Sequence, residues 1–323
     1  MIKVTDLAYA RFQAPDLDEM ETFLKHFGLA RSARTETALY MRATDKDHHV
    51  HITELGEPKF IGPAFYAADE SDLDILSKSP GASNVEEINE PGGGKRVRIK
   101  DPDGFEVEIV HGIASLEHIP VRNSYKTNNG DDIRRKGELV RLEPGPVQCK
   151  RVGHIVLNVT NFNASDAFYK NNFGFISSDE CQDKEGETIF AFNRLDKGKK
   201  YVDHHTLLTV PADEASLGHL AFEVEDINAI YMGHEHLKST GYHHSWGIGR
   251  HILGSQIFDY WFDPLGFRVE HWTDGDLLNN DIPMGNTPAD TALDVQWGAS
   301  AETRIAKFPR NHEWPINNKQ LKT

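Results

Sequence analysis

Asp101-Pro-Asp-Gly-Phe-Glu-Val-Glu-Ile-Val110 returns 162 positions later as Asp263-Pro-Leu-Gly-Phe-Arg-Val-Glu-His-Trp272. A repeat of this kind is read before any local pattern, because it sets the architecture. Working outward, Phe27-Gly28 of ETFLKHFGLA matches Phe173-Gly174 of DAFYKNNFGFI at an offset of 146. Each Gly closes an amphipathic stretch and reads as a helix C-cap. That stretch holds Met20, Phe23, Leu24 and Phe27 in one copy and Ala167, Phe168 and Asn171 in the other. Alternating strands precede both, Leu7–Phe12 and Val152–Val159. At an offset of 156, Gly62–Glu70 matches Gly218–Asp226, and His49 falls opposite His205. Short helical patterns follow, Leu73–Leu76 and Ile227–Met232. Offsets of 146, 156 and 162 describe one duplication with small loop insertions, which a domain tolerates at low cost.

Each half is itself doubled. Strand, helix and two or three further strands fill roughly 1–55, 56–112, 150–210 and 215–273. The expected fold class is α+β, with four βαβββ modules forming two similar domains, 1–112 and 150–275. Between them, 113–149 reads as a linker, since NSYKTNNGDDIRRKGE is polar and LEPGPVQ is broken by Pro and Gly. Residues 276–323 lose periodicity around Pro283, Pro288, Pro309 and Pro315. Trp297, Phe308 and Trp314 favour a tail packed on the body, either over a site or at a subunit interface.

Composition removes several classes. A hydrophobic content of 38% over 323 residues suits a globular chain with two cores. No apolar run of 18 residues exists for a spanning helix, and the N-terminus lacks signal-peptide character. A net charge of −15 argues against a nucleic-acid partner. Two cysteines, Cys149 and Cys181, make no disulfide framework, so a cytoplasmic location is expected.

The two copies are unequal in histidine. His154 and His219 each follow a Gly, at what reads as a strand start, and the offsets set them against Ala8 and Pro63. Glu270 has a counterpart in Glu108. A single strand His is more often a core or surface residue. Two such histidines and a Glu, kept together in one copy, read instead as one metal site. Two imidazoles and one carboxylate with open positions form the facial set of non-heme Fe(II) oxygenases.

The runs GHIVLNV, HHTLL, GHLAFEVEDI and GRHILGSQIFDYWFDPLGFRVEHW carry a family likeness. Over about 1–275, and most strongly over 150–275, the chain resembles type I extradiol (ring-cleaving) catechol dioxygenases of the vicinal oxygen chelate superfamily. The resemblance implies Fe(II), or Mn(II) as in some members, on His154, His219 and Glu270. It implies His205 as acid–base residue, His251 as a substrate contact, and Tyr260 as hydrogen-bond donor to the bound diol. It also implies a catecholic substrate cleaved with O2 beside a hydroxylated carbon, a role in aromatic catabolism, and a homo-oligomer. These roles make chemical sense. A metal-chelated diol binds as an anion, and a histidine titrating near neutrality both removes and returns protons.

His204 competes with His205, since alternating faces let one of the pair point inward. Phe192 and Trp246 are candidate substrate-ring contacts and equally good core residues, as is Phe190. His251 is expected in a loop rich in aromatics and histidine. Arg250 and Arg268 are available for a substrate carboxylate or for structure. Two other readings share the scaffold: a metal-dependent glyoxalase-like isomerase, and a metal-free protein that binds a small molecule.

Overall fold

The DPxGF segment repeats because it builds the same turn twice. In the computed structural model, which describes residues 1–292 and 294–300, Asp101 Oδ1 accepts the backbone N–H of Asp103 and Phe105. Asp263 Oδ1 accepts those of Leu265 and Phe267. Gly104 and Gly266 take φ of 89° and 85°, left-handed values that a side chain disfavours. The Asp side chain satisfies donors that a tight hairpin leaves open.

These turns close two modules of a four-module chain. The first comprises β1 (Val4–Ala14), α1 (Leu17–Phe27), β2 (Ala30–Arg34), β3 (Ala38–Arg42) and β4 (His51–Leu55). The second comprises β5 (Lys59–Ala67), α2 (Ser71–Leu76), β6 (Glu86–Glu87), β7 (Lys95–Lys100) and β8 (Glu106–His111). The following segment is largely irregular, with one exposed ribbon of β9 (Asn128–Asn129) and β10 (Asp132–Ile133). The third module is β11 (Cys149–Val159), α3 (Phe162–Phe173), β12 (Phe175–Gln182), β13 (Thr188–Leu195), β14 (Val202–Asp203) and β15 (Leu207–Pro211). The fourth is β16 (Ser216–Val224), α4 (Ile227–Ser239), β17 (His244–His251), β18 (Ile257–Phe262) and β19 (Arg268–Thr273). Beyond it lie β20 (Leu277–Leu278), β21 (Gly285–Pro288), α5 (Ala289–Ala292) and β22 (Val295–Gly298).

The sheets repeat strand for strand. The N-terminal order is β2-β3-β4-β1-β5-β8-β7-β6, and the C-terminal order is β12-β13-β15-β11-β16-β19-β18-β17, flanked by β21 and β22. The α+β, four-module expectation therefore holds. β21 runs parallel to β12 and β22 antiparallel to β17, so the described part of the tail extends the C-terminal sheet at both edges. Phe308 and Trp314 lie outside the described residues.

The helices pack the halves together. Asp16 caps α1 by accepting from Asp18 and Glu19 N–H, and Gly28 at φ 112° ends it. Its apolar stripe, Met20, Phe23, Leu24 and Phe27, is fully buried, each side chain contributing about 1.5–3 kcal/mol. Phe27 stacks on His271 of the other half with ring centroids 3.8 Å apart, and His271 Nε2 donates to the Phe27 carbonyl at 2.6 Å.

Two details correct the sequence reading. α3 buries Ser165, Tyr169 and Phe173, while Ala167 and Asn171 face solvent. The four-residue row wins because Tyr169 reaches across to Asp101, 3.0 Å from its hydroxyl. The strands also align differently. β1 and β11 correspond end to end, Val4 to Cys149, and their burial sequences are identical. The same holds for β5 and β16, Lys59 to Ser216. α3 is 12 residues long and α1 is 11, and that added helical residue carries the 146 offset. The true counterparts of His154 and His219 are Tyr9 and Gly62, not Ala8 and Pro63.

Candidate metal centre

One cross-strand row builds the site. His154 on β11 pairs with Ala221 on β16, Ala221 with Glu270 on β19, Glu270 with Tyr260 on β18, and Tyr260 with Trp246 on β17. Residues so paired share one face of the sheet. His219 joins them from two positions before Ala221 on the same strand. The methyl of Ala221 leaves open the space that its longer neighbours point across. Neither histidine stands at a strand start, as the sequence suggested. Gly153 sits mid-strand, where the register shifts between Val152 and His154. That is a bulge, which re-aims the side chain after it. A Cβ on Gly153 would come within 2.6 Å of Trp272, which explains the Gly.

The three ligand candidates converge. His154 Nε2 lies 3.0 Å from Glu270 Oε2 and 3.3 Å from His219 Nε2, and His219 Nε2 lies 3.2 Å from the same carboxylate oxygen. All three residues are buried, Glu270 completely. Burial lowers His154 from 6.5 to about 3, so it stays neutral with a lone pair to give. A buried carboxylate among imidazoles, with ligand atoms this close, fits one divalent cation.

The N-terminal half carries a different arrangement at the matching place. Glu108 keeps its place, but Tyr9 donates to it at 2.6 Å, and the guanidinium groups of Arg11 and Arg98 reach it at 2.5 and 2.9 Å. Fixed guanidinium groups there meet the charge of Glu108.

Next to the centre, the His204–His205 pair occupies a bend before β15, not a strand, so alternation does not sort it. Both rings are buried. His205 lines the cavity, its ring centroid 4.3 Å from that of His154 and 5.0 Å from that of Phe192. His204 stands behind it, with Nε2 2.7 Å from Asp179 Oδ2 and Nδ1 3.1 Å from His205 Nδ1. This chain fixes protons. A carboxylate only accepts, so His204 donates through Nε2 and accepts at Nδ1. His205 then carries its proton on Nδ1, and its Nε2 lone pair is left for the cavity. Burial, and then the neighbouring histidines, hold the His205 pKa well below its usual value, so the ring is a neutral base.

His251 is the last residue of β17, where a loop was expected, and pairing with β22 explains the extension. Its Nε2 lies 3.0 Å from the Tyr260 hydroxyl. The cavity is small and partly open to solvent. His154, His219, His205, His251 and Tyr260 form its polar side, and Phe192, Trp246, Leu208 and Leu253 its apolar side. Phe190 is not in the lining and packs edge-on to Phe192. Arg250 and Arg268 are structural. The first pairs with Asp274 at 2.6 Å, and the second donates to Ser245 Oγ at 2.9 Å.

Sequence reasoning missed Leu208, Leu253, Gln256 and Ala292 in the lining. Leu208 and Gln256 sit inside runs already singled out, HHTLL and GSQIF. Ala292 comes from α5 in the aperiodic tail, where no pattern marks it. The tail also fixes Trp246, whose Nε1 donates to the carbonyls of Ala299 and Ser300 at 2.9 and 3.0 Å.

Residues 151–271 match the model of the Glyoxalase/Bleomycin resistance protein/Dioxygenase superfamily. The chain is also similar to curated extradiol dioxygenases. It is 29% identical over 299 residues to metapyrocatechase 2 of Cupriavidus necator, covering 91% of this chain and 89% of that protein. It is 24% identical over 317 residues to an iron-dependent extradiol dioxygenase of Rhodococcus jostii, covering 92% and 97%. Among solved structures, the Mn(II)-bound glyoxalase from Novosphingobium aromaticivorans superposes with a TM-score of 0.77 at 24% identity, covering 98% and 97%.

Proposed function

We propose that this chain is a metal-dependent extradiol dioxygenase that opens a catechol-type ring with O2. The observation that carries the reading is the buried His154–His219–Glu270 convergence beside a base aimed into the same cavity. A divalent ion held there would chelate the diol, lower its pKa and bring O2 alongside it. Relatives described as iron-dependent and Mn(II)-bound support Fe(II) first and Mn(II) second.

The other roles belong to the chain's own residues. His205 Nε2 is placed to take a diol proton and to return it to the opened product. Tyr260 donates a hydrogen bond to a diol oxygen, and His251 holds the phenol in place from 3.0 Å. Phe192 and Trp246 flank the ring. Leu208, Leu253 and Ala292 suit an alkyl substituent better than a charged one, since no Lys or Arg is among the described lining residues. The preferred substrate is therefore an uncharged, hydroxylated or alkyl-substituted aromatic diol. Buried thiols at Cys149 and Cys181 support a cytoplasmic setting, and among the described residues no helix is long and apolar enough to cross a membrane. A homo-oligomer follows from the family resemblance.

The glyoxalase likeness sustains a second reading on the same fold. An isomerase of that kind usually takes a fourth protein ligand, and it gives no role to His205, His251 and Tyr260 as a set. Anaerobic reconstitution with Fe(II), followed by a diol panel and then O2, separates the two. The proposal expects a ring-opened chromophore and one O2 consumed per diol. Isomerisation of a thiol adduct without oxygen uptake would favour the isomerase.

A further inference from the structure

A second group of ligand atoms closes on itself outside the cavity. Asp259 of β18 sits one residue before Tyr260 and is completely buried. His244 at the start of β17 places Nε2 2.8 Å from Asp259 Oδ1, and His234 of α4 places Nδ1 3.2 Å from both carboxylate oxygens. The three ligand atoms lie within 4.8 Å of one another, the same convergence shown by His154, His219 and Glu270. The ligand-to-carboxylate distances agree too, 2.8 and 3.2 Å here against 3.0 and 3.2 Å there. The supporting groups resemble a metal site as well. Trp261 donates its indole N–H to Asp259 Oδ2 at 2.6 Å, which occupies one oxygen and leaves Oδ1 to face the histidines. Both imidazoles pack on that fully buried indole, with centroids 5.4 and 4.9 Å away. Gly247 lies so close that a Cβ would come within 2.8 Å of Asp259 Oδ1.

We propose that His234, His244 and Asp259 form a second divalent-cation site, selective for Zn²⁺ and similar borderline ions. Two imidazoles and one carboxylate oxygen supply three corners of a tetrahedron with bonds of about 2.0–2.2 Å, and water supplies the fourth. His234 and His244 are partly exposed, so the ion enters from solvent. The site ties α4 to the β17–β18 hairpin. That hairpin carries Trp246, His251 and Tyr260 on its other face, so an ion there stiffens the wall of the cavity without touching substrate.

The test uses the full chain with its first site filled by Fe(II) under anaerobic conditions. Zn²⁺ is titrated in, and iron and zinc are counted in the same sample after desalting. The expected result is one zinc per chain with iron retained, and a rise in Tm of a few degrees. His234→Ala/His244→Ala should lose the zinc and the Tm rise while keeping its iron. Asp259→Asn serves as a second variant should the double one fold poorly, and it should also lose the zinc. Zinc that merely displaces iron, or that binds equally to both variants, would overturn the proposal.

Discussion

Asp179→Asn reaches the proposed chemistry from two residues away. Asp179 does not line the cavity, yet it sets the proton on His204, which sets the proton on His205. An amide at 179 both donates and accepts, so it no longer forces His204 to donate through Nε2. The competing tautomer puts the His205 proton on Nε2, facing the diol, and a proton there cannot accept another. The carboxylate's preference amounts to one charge-assisted hydrogen bond, about 1.5–3 kcal/mol. At about 1.4 kcal/mol per decade, ring opening should slow roughly ten- to a hundred-fold. Metal content and diol affinity should hold, because neither ligand set is touched. His205→Phe removes the base outright and should slow the step about 10²–10⁴-fold. The assay is single-turnover formation of the ring-opened product after O2 is mixed with the enzyme–diol complex. A slow His205→Phe alongside a full-speed Asp179→Asn would refute the proton chain. A full-speed His205→Phe with a dead His204→Phe would move the base one residue back.

Other expectations follow from the same contacts. His154→Ala, His219→Ala and Glu270→Ala should each lose the ion, read by metal analysis. Glu108→Ala should keep it but lose about 1–3 kcal/mol of stability in urea unfolding, since the buried Tyr9 hydroxyl loses its acceptor while Arg11 keeps Glu54 and Glu106 and Arg98 keeps Glu86. Deleting 282–323 removes β21, β22 and Ala292 and frees Trp246. A folded, metal-binding protein with raised KM and oxygen use uncoupled from product is expected, and unchanged kinetics with a new oligomer size would assign the tail to an interface. Burial lowers His51 to about 3 against 6.5 unfolded. The unfolded chain therefore binds the extra proton, and stability is lost as pH falls below 6.5. His51→Leu should shrink the stability difference between pH 7 and pH 5 by about 2 kcal/mol.

The duplication was legible because DPxGF is a turn whose Asp and Gly are dictated by backbone geometry, so both copies keep them. The convergence of His154, His219 and Glu270 could be anticipated for a related reason, since of the matching strands only β11 and β16 carry these histidines. Their counterparts were not. An added residue in α3 shifted the first offset and hid Tyr9 behind Ala8, while Gly62 stayed hidden behind Pro63 because the offset of 156 runs one short of the alignment of β5 with β16. The inward member of the His204–His205 pair could not be derived from alternation, because the pair lies in a bend. Ala292 and the carbonyls that hold Trp246 come from a tail with no period at all. Its packing depends on edges of a sheet that local sequence does not describe.

His154, His219 and Glu270 are proposed to organise the insertion of O2 into an aromatic diol. Single turnover of the iron-loaded enzyme with a diol under ¹⁸O2, followed by mass spectrometry of the product, tests it most directly. Ring-opened product carrying both oxygen-18 atoms is expected from wild type, and none from His219→Ala. Unlabelled product, or labelled product at an undiminished rate from His219→Ala, would contradict it.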